Sequence, residues 1–144
     1  MKIDSIKNGI VLDHIKAGNS MKIYNALGLA NMECSVAVLQ RVPSKKMGKK
    51  DILKIADYFD IDFDVIGYMD PDVSVVIIRD GEIVEKKKVE LPEKITNVVK
   101  CINPRCITSI EQELDHVFVL SDREERVYRC QYCEAKQSKY IKRK

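Results

Sequence analysis

Five cysteines carry the clearest chemical signal in this chain of 144 residues. Four of them fall in its last third: Cys101 and Cys106 form a C-x4-C pair, and Cys130 and Cys133 form a C-x2-C pair. Two such pairs are typical of tetrahedral zinc, because each tight loop supplies two thiolates. Four thiolates leave no position for water, so we expect one structural Zn2+ per chain. Two disulfides, a redox CxxC and iron in place of zinc are the alternatives.

The expected cellular compartment helps to decide between a metal site and disulfides. Charged residues interrupt the first twelve positions, so we expect no export signal and a cytoplasmic location. Disulfides are unusual in a reducing cytosol, which favours the metal. No apolar run reaches the roughly 18 residues of a membrane span, so no membrane partner is expected. The fifth cysteine, Cys34, is predicted to be a small buried hydrophobe.

The lysines form two clusters. One lies at residues 45–54 and the other at residues 86–88. Together they would suit a polyphosphate if they met at one pocket, whereas a solvated surface is the ordinary alternative. The whole chain has 25 basic and 22 acidic residues and a net charge of +3, which excludes a generally polycationic nucleic-acid binder.

Two histidines are candidates for chemistry. His14 follows Asp13 directly, but neighbours on a strand point to opposite faces, so no catalytic dyad is expected. His116 precedes an apolar strand and is predicted to be a surface histidine rather than a ligand. No GxGxxG, GxxxxGK[ST], GxSxG or HExxH motif is present.

Hydrophobic patterning predicts the elements that must position these residues. Strands are expected at residues 10–15, 35–42 and 73–78, with helices at residues 21–27 and 50–59. Asp80-Gly81 predicts a hairpin from the third strand into residues 83–86. This order indicates an α+β sandwich, in which an antiparallel or mixed sheet carries two helices on one face.

A second domain is expected after Leu91-Pro92-Glu93, which breaks the pattern. We place the domains at residues 1–92 and 93–144. The second contains one predicted hairpin, from residues 117–120 to residues 126–129, and a basic tail at residues 136–144. A module of this size has little core, so metal binding would supply folding free energy.

Several segments resemble one known family in order and spacing. The resemblance covers residues 3–137, and the segments that carry it are IKNGIVLDHI (6–15), MGKKDILKI (47–55), LPEKI (91–95), CINPRC (101–106) and CQYCE (130–134). They resemble the regulatory chain of aspartate carbamoyltransferase, an enzyme of pyrimidine biosynthesis.

The resemblance implies a non-catalytic chain. Its first domain would be a ferredoxin-like sandwich that binds nucleoside triphosphates, with CTP and UTP inhibiting and ATP activating. Its second, a small all-β zinc ribbon, would hold the catalytic chain, and homodimers would bridge catalytic trimers. By position, Asp13 and Lys54 would contact base and ribose, and His14 and Lys86 the phosphates. Asp4 would lie near the ribose, and the pocket would be lined by Ile6, Val11, Ile78 and Ile83.

Two positions depart from the resemblance. The family often has an asparagine where this chain has Val76 and an aromatic residue where it has Gly81, so the effector preference is left open. A nucleic-acid-binding zinc ribbon is the competing class, supported by the basic tail and the C-x4-C…C-x2-C pattern. The near-neutral charge and the sparse aromatic residues around the cysteines, chiefly Tyr128 and Tyr132 as base-stacking candidates, weigh against it. A small sensor domain acting on another enzyme is a third.

Overall fold

A computed structural model describes residues 6–138. The chain divides into two compact units, Met1–Glu90 and Leu91–Lys144, so the division falls just before the Leu91-Pro92-Glu93 segment. Among the described residues, every helix is too short or too polar to cross a bilayer. Each unit has its own sheet and its own buried residues.

The first unit is built on a five-stranded antiparallel sheet with strand order β2-β3-β1-β4-β5. Its elements are β1 (Gly9–Lys16), α1 (Ser20–Ala26), a 3-10 turn (Leu29–Asn31), β2 (Val36–Ser44), β3 (Gly48–Ile55), α2 (Phe63–Met69), β4 (Ser74–Arg79) and β5 (Glu82–Lys88). The β1-α1-β2-β3-α2-β4 succession is the ferredoxin-like arrangement, and β5 extends it as a hairpin. The predicted α+β class is confirmed.

The core of this unit lies between the sheet and its two helices. Ile23 of α1 and Ile66 of α2 are fully buried in one cluster with Leu12, Leu53 and Val75 of the sheet. Both helices therefore cover the same face of the sheet. Cys34 is half-buried and packs against this cluster, so the prediction that it is a small hydrophobe holds only in part.

The predicted helix at residues 50–59 is wrong, because most of this segment is strand β3. Asp51, Leu53 and Ile55 are buried in alternation with half-buried neighbours, which is the period of a strand. β3 pairs with β1 on one side and β2 on the other, so both ladders satisfy its backbone. The apolar residues here fit either period, and long-range pairing decides the outcome.

The second helix is instead α2, which begins after Asp62. The Asp62 carboxylate accepts hydrogen bonds from the backbone N–H groups of Asp64 (3.1 Å) and Val65 (3.2 Å). An acidic N-cap is a readable helix-start signal, and it marks this helix in the sequence. The strand predicted at residues 35–42 runs on through Pro43 to Ser44, because β2 is an edge strand and tolerates proline.

The predicted hairpin between β4 and β5 is confirmed. Asp80 and Gly81 both have positive φ angles, 52° and 80°, as a type I′ turn requires. Ile78 pairs with Ile83 just before and after the turn. The register then shifts by one residue between Ile77 and Ile78, so the facing of residues 85–88 depends on this β-bulge as well as on the turn.

The second unit has a three-stranded antiparallel sheet, β6 (Lys94–Thr96), β7 (Val117–Asp122) and β8 (Val127–Cys130), together with the short helix α3 (Ile107–Ile110). The predicted hairpin is confirmed as β7–β8, whereas β6 was not predicted. Phe118 and Tyr128 are fully buried, and the Tyr128 hydroxyl donates to the carbonyl of Pro92. In the predicted basic tail, Lys136 pairs with Arg129, and residues 139–144 lie outside the described part.

Candidate functional site

The four predicted metal ligands come together in the second unit. The sulfur atoms of Cys101, Cys106, Cys130 and Cys133 all lie within 4.8 Å of one another. Cys101 and Cys133 are separated by 3.6 Å and Cys106 and Cys130 by 3.7 Å. A tetrahedral ion with bonds of about 2.3 Å places its sulfur ligands roughly 3.8 Å apart. All four are free cysteines, so the disulfide alternative is not what the structure contains.

Each cysteine pair belongs to a tight turn of the backbone. In the first, the Cys106 N–H donates to the Asn103 carbonyl (3.0 Å). In the second, Glu134 has a φ of 64° and its N–H donates to the Cys130 carbonyl (2.8 Å). Both turns are attached at the start of β7: the Gln131 N–H, next to Cys130 at the end of β8, donates to the Val117 carbonyl, and the Cys101 N–H donates to the neighbouring His116.

His116 supports the first turn. Its Nδ1 atom accepts a hydrogen bond from the Cys101 N–H at 3.0 Å. The side chain is buried, with 5% of its surface exposed, so the predicted surface position is wrong. A buried histidine next to an apolar strand gives no sequence signal for such a backbone contact.

The electrostatics of the cluster favour a cation. Burial raises the pKa of Cys101 to about 12, and burial also raises the pKa of Cys130. Burial acts in the same direction at Cys106, but hydrogen bonds from Thr108 outweigh it and lower the pKa to about 7. Closely spaced thiolates repel one another unless a cation lies between them. The donor set therefore fits a thiophilic ion such as Zn2+, for which four sulfurs make a closed, structural site.

In the first unit, the helix-free face of the sheet collects most of the predicted nucleotide residues. Val11 of β1 pairs with Lys54 of β3 on one side and with Val76 of β4 on the other, and Val76 in turn pairs with Lys86 of β5. Directly paired residues project from the same face of a sheet. Lys54, Val11, Val76 and Lys86 thus form one row across four strands, which we call the lysine row.

A second row lies beside it on the same face. Asp13 pairs with Ser74, and Ser74 pairs with Lys88. The Asp13 carboxylate binds Lys50 Nζ at 2.9 Å, and His14 Nδ1 lies 3.2 Å from the Ser74 hydroxyl. Burial raises the pKa of Asp13, but the Lys50 ammonium and the His14 N–H outweigh it, so the pKa is lowered overall.

A β-bulge explains why Asp13 and His14 share a face. Leu12 and Ile15 are both fully buried on the helix side, although only two residues separate them. The pairing of β1 with β3 shifts between them, and His14 has a φ of 59°. The expectation that Asp13 and His14 point to opposite faces of the sheet is therefore wrong. The Asp13 carboxylate nevertheless bonds Lys50 and the backbone N–H of His14 (2.7 Å), not the imidazole ring.

The remaining predicted residues are apolar. Ile78 pairs with Gly9 and with Ile83, so Ile78 and Ile83 extend the same face toward the β4–β5 turn. Ile83 is 65% exposed. Ile6 is half-buried ahead of β1, and Asp4 lies outside the described residues. Sequence reasoning omitted Lys50, Ser74 and Lys88 from the site, although alternation along β4 and β5 is the signal that places Ser74 and Lys88 there.

An antiparallel α+β domain followed by a small β domain with four clustered cysteines defines a two-domain protein with a structural metal centre. Residues 1–90 match the family model "Aspartate carbamoyltransferase regulatory chain, allosteric domain" and residues 93–142 match "Aspartate carbamoyltransferase regulatory chain, metal binding domain". The chain belongs to the aspartate carbamoyltransferase regulatory chain family. It is a regulatory, non-catalytic chain with an allosteric and a metal-binding domain.

Relatives named "Aspartate carbamoyltransferase regulatory chain" match over nearly the whole length. The one from Clostridium tetani is 53% identical over 135 residues, which is 93% of this chain and 94% of the relative. The one from Clostridium botulinum strain Hall is 49% identical and covers 93% and 92%. The one from Bifidobacterium longum is 42% identical and covers 93% and 96%.

Proposed function

We propose that this chain binds nucleoside triphosphates on the helix-free face of its first unit and holds the catalytic chain of aspartate carbamoyltransferase through its metal-bound second unit. It acts in the cytoplasm as a homodimer that bridges catalytic trimers, with CTP and UTP inhibiting and ATP activating. The observation that carries the nucleotide assignment is the lysine row, in which two valines lie between two lysines.

The lysine row is suited to a ligand with an apolar part and a polyanionic part. Neighbouring strands lie about 4.8 Å apart, so Lys54 and Lys86 are separated by three spacings, or roughly 14 Å. That distance leaves the valines open to a flat base or a sugar, while long flexible ammonium side chains reach phosphate oxygens from either side. Lys86 is exposed and Lys54 is half-buried, so both ammonium groups are accessible to a ligand.

The second row supplies the polar groups for the same ligand. In this proposal Asp13 and Lys54 contact base and ribose, with Asp4 near the ribose, and His14 and Lys86 contact the phosphates. His14 is held by Ser74, and Asp13 is held by Lys50, so both enter the site already oriented. Ile6, Val11, Ile78 and Ile83 line the pocket.

Lys86→Ala tests this assignment. We expect isothermal titration of the metal-loaded chain with CTP and with ATP to show weaker binding of both. Lys87→Ala is the matched control, because Lys87 follows on the same strand but its ammonium bonds Glu85 (3.1 Å) and lies 5.5 Å from the Phe63 ring. Unchanged affinity in Lys86→Ala, or an equal loss in Lys87→Ala, would count against the site.

The second unit is proposed to hold Zn2+ through Cys101, Cys106, Cys130 and Cys133. When bound, the ion supplies folding free energy and no reaction chemistry. Apolar side chains around the two cysteine turns remain exposed, Ile102 by 58%, Ile110 by 63% and Tyr132 by 47%. Exposed apolar residues gathered around a rigid metal centre are typical of a protein-binding surface, and the catalytic chain is the partner that the family implies.

Assembly with the catalytic trimer tests this second role. We expect gel filtration and mass measurement to show a complex with the wild-type chain, and the activity of that complex to respond to CTP and ATP. Cys130→Ser should release zinc and abolish assembly, whereas Cys34→Ser, which alters the cysteine outside the cluster, should do neither. A full complex with Cys130→Ser would refute the bridging role. A salt-dependent shift of random DNA would instead support the zinc-ribbon alternative.

A further inference from the structure

Thr108 contacts a predicted metal ligand directly. Its Oγ1 atom lies 3.0 Å from the sulfur of Cys106, and the side chain is 2% exposed. The backbone N–H of Thr108 is a second hydrogen-bond donor to the same sulfur. A hydroxyl next to a thiolate donates its proton, because the anion can only accept.

The other cysteine sulfurs are supported differently. Cys101 is bonded by the backbone N–H of Asn103, and Cys130 by the backbone N–H groups of Tyr132 and Cys133. Such backbone bonds follow from the shape of the turn and survive most substitutions. The hydroxyl at Cys106 depends on the residue type at position 108, since only serine or threonine can supply it there.

We propose that Thr108 is a positioning residue of the metal centre, whose buried hydroxyl holds the Cys106 thiolate in its ligating orientation and strengthens retention of the metal. This inference rests on the proposed binding of Zn2+ by the four cysteines. A charge-assisted hydrogen bond to a ligand restricts its rotation and orients it toward the metal. Loss of such an outer partner typically lowers metal affinity by about 10- to 100-fold.

Three variants of the full chain isolate the hydroxyl. Thr108→Val keeps the shape and removes the donor, and Thr108→Ser restores it. Ser109→Ala is the matched control, because Ser109 lies in the same helix and its hydroxyl donates to the Asn103 carbonyl (2.6 Å) of the same turn instead of to a sulfur. Zinc affinity is measured by competition with a chromophoric chelator.

We expect Thr108→Val to bind zinc about 10- to 100-fold more weakly, with Thr108→Ser and Ser109→Ala close to wild type. In the cobalt-saturated chain, the thiolate-to-metal charge-transfer absorption should move to lower energy in Thr108→Val, because the lost hydrogen bond no longer stabilises the sulfur lone pairs. Because this absorption is recorded with cobalt bound, it reports on the Cys106 sulfur even in a variant that folds only when metal is present.

Wild-type affinity and an unchanged cobalt spectrum in Thr108→Val would overturn the inference. So would an equal loss in Ser109→Ala, or a loss of affinity with an unchanged spectrum, since each would indicate altered packing. If the wild-type chain itself failed to bind one zinc ion, the four-cysteine site and the role of Thr108 would fall together. Tight zinc binding by the wild-type chain together with no effect of Thr108→Val would refute only the role of Thr108.

Discussion

Replacing Asp51 by alanine removes the acceptor of three backbone N–H groups in the first unit. The fully buried carboxylate accepts from Gly18 (3.0 Å), Ser20 (3.1 Å) and Arg41 (2.9 Å). These bonds tie strand β3 to the start of α1 and to the irregular pairing in β2, where Arg41 has a φ of 56°. Asp51 therefore fixes the strand that also carries Lys54 of the lysine row.

The expected cost follows from the donors left behind. Each buried backbone group without a partner costs about 1–3 kcal/mol. Only the Ser20 bond is fully buried, so losing it should cost about 1–3 kcal/mol, and the part-buried Gly18 and Arg41 groups should cost less because water can reach them. A domain of this size is stable by about 5–15 kcal/mol, so Asp51→Ala should remove a measurable share of the stability of the first unit.

Acid dependence provides a second measure of the same interaction. Burial raises the pKa of Asp51, but hydrogen bonds from the Ser20 side chain and from the Arg41, Ser20 and Gly18 N–H groups outweigh it, so the pKa lies below 3.8. A folded-state pKa below the unfolded value means that the contribution is complete above about pH 4 and is lost as the pH falls further. This part of the acid destabilisation should disappear in Asp51→Ala.

Urea unfolding of the zinc-loaded chain, followed by far-ultraviolet circular dichroism, measures the loss, since the sequence has no tryptophan. Hydrogen exchange by peptide separates the two units, and the second unit should be unaffected. Asp60→Ala, an exposed aspartate, is the control. A first unit destabilised by less than about 1 kcal/mol, or an unchanged slope below pH 4, would refute the reasoning.

Three further predictions follow from other contacts. Removing zinc with a chelator should unfold the second unit and leave amide protection in the first unit intact; protection retained in the second unit would contradict the structural role of the metal. Gly9→Ala should lower the free energy of unfolding by about 1–3 kcal/mol more than Gly18→Ala. A Cβ at Gly9 would lie 2.0 Å from the Ile55 carbonyl oxygen, whereas a Cβ at Gly18 would meet nothing within 4 Å. Asp62→Ala should cost about 1 kcal/mol by urea unfolding through loss of the α2 cap, and a stability equal to wild type would show that the cap is dispensable.

The sequence predicts most of the fold where local signals agree with long-range pairing. The β4–β5 hairpin is predicted correctly because Asp80-Gly81 specifies the turn, although the register shifts by one residue beyond Ile78. Strand β3 is not, because its apolar residues satisfy the helical period as well as the alternating one. Only its two neighbouring strands resolve the ambiguity, and no local pattern reports them.

The two candidate sites also differ in how far the sequence predicts them. The metal ligands are predicted because thiolates at short spacings have few other uses in a reducing environment. The grouping of Asp13 with His14 is missed because it depends on one additional residue in β1, which reverses the alternation after Leu12. A bulge leaves no recognisable pattern in the sequence, yet it moves a side chain from one face of the sheet to the other.

The exposure of strand β5 bears on how an effector bound at the proposed site could act. Strand β5 is exposed along all seven of its residues, yet it supplies Lys86 and Lys88 to the helix-free face. A ligand that joins Lys86 to Lys54 links this exposed edge strand to the interior strand β3. An effector shifts a quaternary equilibrium only by its difference in affinity for the two states, typically about 1–3 kcal/mol. A site that spans an edge strand and an interior strand changes shape when the edge strand moves. A difference in effector affinity between two quaternary states requires such a change of shape.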